Sequence, residues 1–165
     1  MKDNSLLETL REVSFLRGVA DEYIEKIVEI AERAEFPEGK IIFREGEPAS
    51  HIYLIVRGNV SLEICASGVG CKRILTLGAG DVAGLSPVLE HTRLTATARA
   101  ISPTEALKIS GNQILAVCEH NPRFGYEFMR KTALALSKRL VATRMQLLDV
   151  YGNTMPNAGR KGSTE

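Results

Sequence analysis

The sequence predicts an α+β chain that is mainly β. A sandwich or small barrel of short strands lies between N-terminal helices and a long C-terminal helix. Three observations predict this. The apolar period is helical up to about residue 34, falls to two from residue 40, and returns to helical after residue 110. Six or more short strand candidates crowd the middle, most of them closely spaced between turn residues. After Asn121-Pro122 a helical pattern runs unbroken to about Tyr151.

The composition allows this and excludes other classes. At 165 residues, with 44% hydrophobic and 25% charged residues, the chain is one domain plus attachments and can bury one core. A net charge of +1 gives no global electrostatic case for binding DNA or a membrane. No apolar run approaches the roughly 18 residues a membrane span needs. Met1-Lys2-Asp3-Asn4-Ser5 leads into an amphipathic helix rather than an apolar signal core, so a cytoplasmic location is expected.

The elements follow in order. Leu6, Leu7, Leu10 and Val13 repeat at helical spacing over residues 5–15, and Gly18 closes that helix. Asp21 is expected to cap a second helix, with Tyr23, Ile24, Ile27, Val28, Ile30 and Ala31 on one side. Pro37-Glu38-Gly39 is a turn. Ile41 and Phe43 then alternate with Ile42 and Arg44, and Gly46-Glu47-Pro48 turns the chain. Strands are expected at 52–56 and 60–65, joined across Arg57-Gly58-Asn59. Another at 73–77 ends at Gly78-Ala79-Gly80-Asp81. Strands at 94–101 and 106–110 flank the turn Ser102-Pro103-Thr104-Glu105. A short helix covers 112–119. Asn121 as N-cap and Pro122 at the first helical position start the long helix. The expected organisation is helices over 1–34, a barrel over 35–111, C-terminal helices over 112–152, and a disordered tail over 153–165.

The long helix carries two apolar stripes. Leu136, Leu140, Thr143, Leu147 and Val150 repeat with coiled-coil-like spacing, and Leu134, Val141, Met145 and Leu148 lie on a neighbouring face. One stripe can pack on the barrel. The other then needs a partner, and a parallel homodimer through this helix is expected. The alternative is that both stripes pack within the monomer.

Candidate metal and redox residues are few. Cys65, Cys71 and Cys118 make an odd set with no C-x-x-C, which argues against a disulfide framework and a four-thiolate metal site. Cys65 and Cys71 flank a probable hairpin loop and can face each other as a redox pair, but free thiols are the favoured reading. His51, His91 and His120 are scattered, so no metal site is expected. No Ser/His/Asp set, P-loop or paired-carboxylate motif points to an enzyme.

The stretch Ile42-Phe43-Arg44-Glu45-Gly46-Glu47-Pro48-Ala49-Ser50-His51-Ile52-Tyr53-Leu54-Ile55-Val56-Arg57-Gly58, within this order of elements, resembles the first signature of the cyclic-nucleotide-binding domain, as in the catabolite-activator/Fnr regulators. The resemblance covers about residues 10–150. It implies a double-stranded β-helix (jelly-roll) barrel and a non-enzymatic regulatory module. In that family a short helix and a glycine present backbone N–H groups to a phosphate, a glutamate takes the ribose hydroxyl, and an arginine neutralises the phosphate. The family's second signature maps onto Ala83-Gly84-Leu85-Ser86-Pro87-Val88 and Leu94-Thr95-Ala96-Thr97-Ala98-Arg99-Ala100. Gly84, Thr95, Ala96, Ala98 and Ala100 match. The glutamate position is Leu85 and the arginine position is Leu94.

The candidate pocket is therefore Gly84, Leu85, Ser86, Arg93, Leu94, Thr95 and Ala96, with Thr143 and Arg144 reaching from the long helix. Losing a buried charge-assisted partner costs on the order of 2–5 kcal/mol. No cofactor is expected, and neither cAMP nor cGMP is expected to bind. Leu85 and Leu94 either fill the emptied pocket, so that nothing binds there, or line a less polar pocket for another small ligand; a partner protein is the other expected target. Arg93 sits one residue before the expected arginine, and strand alternation turns it to the other face unless a bulge returns it. A nucleotide receptor using Arg93 and a haem- or thiol-based sensor are the alternatives. Only about 14 residues follow Tyr151, so the winged helix-turn-helix of the transcription factors is not expected, nor DNA binding.

Overall fold

A computed structural model describes residues 4–152. The predicted tail lies outside the described residues. Helix α1 (Asn4–Glu12) and a 3-10 turn (Ser14–Leu16) lead to helix α2 (Asp21–Ile30). Eight strands follow among the described residues: β1 (Ala31–Phe36), β2 (Ile41–Phe43), β3 (His51–Arg57), β4 (Val60–Ala66), β5 (Gly70–Leu77), β6 (Val82–Ala83), β7 (Thr97–Ala100) and β8 (Thr104–Ser110). A 3-10 turn (Ser86–Leu89) lies between β6 and β7. Helices α3 (Gly111–His120) and α4 (Pro122–Gly152) close the chain.

The strands form two antiparallel four-stranded sheets, in the orders β1-β8-β3-β6 and β2-β7-β4-β5. This is the jelly roll. Strand β3 shows why the apolar run at 52–55 is continuous rather than alternating. Ile52 and Leu54 face a core shared with the helices, while Ile55 faces a second core between the sheets. A strand buried on both faces needs apolar residues on both. The small Ala98 of β7 fits the second core without crowding it, and both Ala98 and Ala100 are fully buried.

The helical core is tied together by aromatic contacts. Phe15 meets Phe128 of α4 edge-on at 5.6 Å, and Tyr23 meets Phe124 at 5.3 Å. Phe124, Phe128 and Thr132 bury one face of α4. Beyond Leu136 the helix leaves this core and runs beside β5, where the Gln146 side-chain amide donates to the backbone carbonyls of Arg73 (3.1 Å) and Ile74. Among the described residues, no helix is long and apolar enough to cross a membrane.

Several local expectations are corrected. Residues 31–34 were assigned to a helix, yet Ala31–Phe36 is a strand paired residue by residue with β8. Its Ala-Glu-Arg composition suits a helix, and the sheet edge overrides that preference. The residue preceding α2 is Ala20, with Asp21 inside the first turn. Asn121 does stand directly before α4, its carbonyl accepting from the Gly125 amide at 2.9 Å, but its side chain bonds elsewhere. Its amide donates to Val117 at the end of α3, and its Oδ1 accepts from Lys26. Strand β6 was missed, because two residues carry no period. The strand expected at 94–101 is ordered as such only over Thr97–Ala100. Cys65 and Cys71 are not free thiols but a disulfide across the β4–β5 hairpin, where they are directly opposed.

Candidate functional site

A cavity of about 370 Å³ opens between the second sheet, the 86–89 turn and α4. Its wall is mostly apolar. Leu62 and Ile64 of β4, and Ile74 and Leu75 of β5, form one side, with Phe43 behind them. The turn contributes Gly84, Leu85, Ser86 and Leu89, and the next segment His91, Leu94, Thr95 and Ala96. Helix α4 covers the cavity with Leu136, Arg139 and Thr143.

The turn is built by its own sequence. Gly84 has φ +75, and a Cβ there would stand 3.2 Å from the His51 carbonyl oxygen and from the Phe43 ring. Only glycine fits. Pro87 has no N–H to offer. The Val88 amide donates to Leu85, and the amides of Glu90 and His91 donate to Ser86. The later amides of the turn are thus committed to the turn itself.

Seven of the sequence-chosen residues meet at this cavity: Gly84, Leu85, Ser86, Leu94, Thr95, Ala96 and Thr143. Leu85 and Leu94 are 3% and 6% exposed, so both side chains are wall rather than rim. Arg93 and Arg144 are not among the lining residues, which corrects their assignment to the pocket. The reason for Arg93 is backbone pairing. The Leu94 amide donates to Glu47, the Gly46 amide donates to Leu94, and Pro48 bridges Arg93. This short ladder fixes the alternation with Leu94 inward and Arg93 outward, where its guanidinium donates to the Gly46 carbonyl at 2.7 Å. Arg144 is one residue round the helix from Thr143 and is exposed. Leu136, assigned to the dimer stripe, is half-buried and packs against the helical core.

Arg139 was missed. It is the one lysine or arginine among the lining residues, and it comes from α4. Its guanidinium donates to the Val82 carbonyl. Burial lowers its pKa from the ordinary value, and the Asp81 carboxylate opposes that. The Thr143 hydroxyl donates to the Arg139 carbonyl at 2.8 Å. Arg139 lies four residues before Thr143, on the same helix face, and that spacing was the available signal.

A jelly roll with helices at its N-terminal end and a long C-terminal helix lying over its cavity defines the fold class. The chain belongs to the cyclic nucleotide-binding domain family, whose sequence pattern matches residues 33–121. It is 25% identical over 150 residues to the CRP-like cAMP-activated global transcriptional regulator of Mycobacterium tuberculosis, covering 90% of this chain and 65% of that protein. The crystal structure of the Thermus thermophilus catabolite activator protein superposes with a TM-score of 0.67 at 26% identity, covering 84% of this chain and 62% of that one. A cyclic nucleotide-binding domain from Methylobacillus flagellatus shares the fold with a TM-score of 0.75 at 18% identity, covering 94% and 86%. The chain spans less than two thirds of the length of the mycobacterial and Thermus proteins.

Proposed function

We propose that this chain is a non-enzymatic, cytoplasmic regulatory module that has lost the nucleotide determinants of its family. Its pocket takes a small, largely apolar anion instead. The observation that carries this is the pair Leu85 and Leu94. Both replace polar ligand positions, and both are buried in the cavity wall. The apolar lining and the single guanidinium of Arg139 support the ligand class. A half-buried cation draws an anionic partner, and the surrounding Leu and Ile side chains favour an aliphatic or aromatic body. Arg93, the residue on which a nucleotide reading would rest, is held outside by Gly46.

The test is isothermal titration of the full chain with cAMP, cGMP and decanoate, a simple apolar carboxylate. The expected outcome is no measurable binding of either nucleotide and binding of decanoate. Arg139→Met should weaken decanoate by roughly tenfold to a hundredfold, the worth of one hydrogen bond to a charged group. Micromolar binding of either nucleotide sinks this reading.

The module acts as a homodimer through α4. Both apolar stripes support this, because Leu134, Leu140, Val141, Met145, Leu147, Leu148 and Val150 are all more than half exposed. Such a run on one solvated helix end is costly to leave uncovered.

A further inference from the structure

The outer face of the β4–β5 hairpin, behind the cavity wall, holds a polar cluster that the ligand pocket does not use. Side chains alternate along β4, so Ser61, Glu63 and Cys65 share the face opposite Leu62 and Ile64. Cys71 stands directly across from Cys65 on β5. Glu63 is 9% exposed. Its Oε1 accepts from Ser61 Oγ at 2.8 Å and from Arg99 Nε at 3.4 Å. Its Oε2 is buried without a partner, alone in this among the side-chain atoms of the described residues. A buried carboxylate oxygen left without a donor is expensive and calls for an explanation. One carboxylate oxygen of Glu63 and the two sulfur atoms lie within 4.8 Å of one another.

We propose that Glu63, Cys65 and Cys71 form a zinc site that exists only in the dithiol form of the protein. The disulfide form does not bind, because each sulfur is then a neutral, weak donor and the two thiolate charges that hold zinc do not exist. A dithiol reductant opens it. One thiolate of the reductant attacks the more exposed Cys71 sulfur, and Cys65 leaves as a thiolate. The second thiol of the reductant then displaces Cys71 and closes its own disulfide. Two electrons pass to the protein, and the reductant is oxidised by two. Zinc replaces the two thiol protons.

The geometry and charge fit this metal. Zinc–sulfur bonds of ~2.3 Å place two thiolates of a tetrahedron roughly 3.8 Å apart, and the Cα atoms of Cys65 and Cys71 are 4.0 Å apart on opposed strand positions. Glu63 Oε2 becomes the third ligand. Two thiolates and a carboxylate carry three negative charges, which Zn²⁺ and the adjacent Arg99 guanidinium balance. Two soft ligands and one oxygen select zinc over calcium or magnesium. Cys71 is exposed, so metal and reductant both have access.

Cobalt substitution tests this on the full chain. The protein is reduced, freed of reductant and titrated with Co²⁺ without oxygen, then back-titrated with Zn²⁺. The reduced chain should gain a sulfur-to-cobalt charge-transfer band and tetrahedral visible bands at one ion per chain, both erased by zinc. The disulfide form should show neither. Cys71→Ser, at an exposed position, should lose most of the charge-transfer intensity. Glu63→Gln should keep the band but weaken affinity by at least about tenfold. Cys118→Ser should change nothing. No charge-transfer band on reduction, or a band that survives in Cys71→Ser at full strength, overturns the site. Undiminished affinity in Glu63→Gln overturns the role of Glu63 and with it the three-ligand site.

Discussion

Leu85 and Leu94 carry opposite lessons from one fact. Each is read directly from the sequence as an apolar residue in a polar position, and each sits in the cavity wall. Arg93 was legible too, because alternation along an extended segment follows from local geometry alone. Arg139 was not. Its place depends on how α4 lies across the second sheet, which no local pattern encodes. Gly58 offers a sharp test at this scale. Its φ is +92, and a Cβ would stand 2.4 Å from the Pro103 carbonyl oxygen, backbone that cannot turn aside. Gly58→Ala should therefore destabilise the chain by about 2 kcal/mol or more, read as a lower urea midpoint with an unchanged slope. Cys118 offers a second test. Burial, reinforced by the Glu119 carboxylate, pushes its thiol up to about 11. With Cys65 and Cys71 joined, iodoacetamide at pH 8 should leave the folded protein nearly unlabelled. Labelling should rise with pH towards that value, and denaturation should expose one thiol per chain. Rapid labelling of the folded disulfide form at pH 8 would contradict the buried environment.

At the scale of elements, long periodic segments were legible and short ones were not. The strands around Gly58 and the long helix after Pro122 repeat often enough for their period to stand out. Strand β1 was hidden, because its charges suit either face of a helix and only pairing with β8 makes it a strand. There Arg33 meets Glu105 at 3.1 Å across the ladder. The disulfide was hidden for a related reason. Spacing placed Cys65 and Cys71 on facing strands, but register decides whether they are opposed or offset. Helix α4 divides at Leu136. Before it, Phe124 and Phe128 are buried, and after it Leu140 and Leu147 are 60% and 55% exposed. The two segments should respond differently to mutation. Phe124→Ala should cost about 3–5 kcal/mol of stability by opening a cavity in the helical core. Leu140→Glu with Leu147→Glu should leave the thermal midpoint of the barrel nearly unchanged and convert the proposed dimer into a monomer by sedimentation. A double variant that remains a dimer would move the interface off this stripe.

At the scale of the molecule, α4 is both the cover of the pocket and the carrier of the exposed stripes. Arg139 and Thr143 face the cavity, while Leu140 and Leu147 lie farther round the same turns. The barrel holds this half of the helix through few groups: the Arg139 bond to Val82, the two Gln146 bonds to β5, and the apolar wall beneath. A segment with so few buried contacts opens at low free energy compared with the core. A ligand that pairs with Arg139 adds to those contacts without touching the helical core, so its binding energy is spent on the position of α4. Amide exchange should therefore show residues 139–147 exchanging faster than 124–132 in the unliganded chain, and slowing when decanoate is present. The 124–132 segment should not respond. Gln146→Ala should speed exchange in the first segment and weaken the ligand's effect there, because both hydrogen bonds to β5 are gone. Protection confined to the barrel strands, with 139–147 unchanged, would mean that the pocket fills without reporting to the helix.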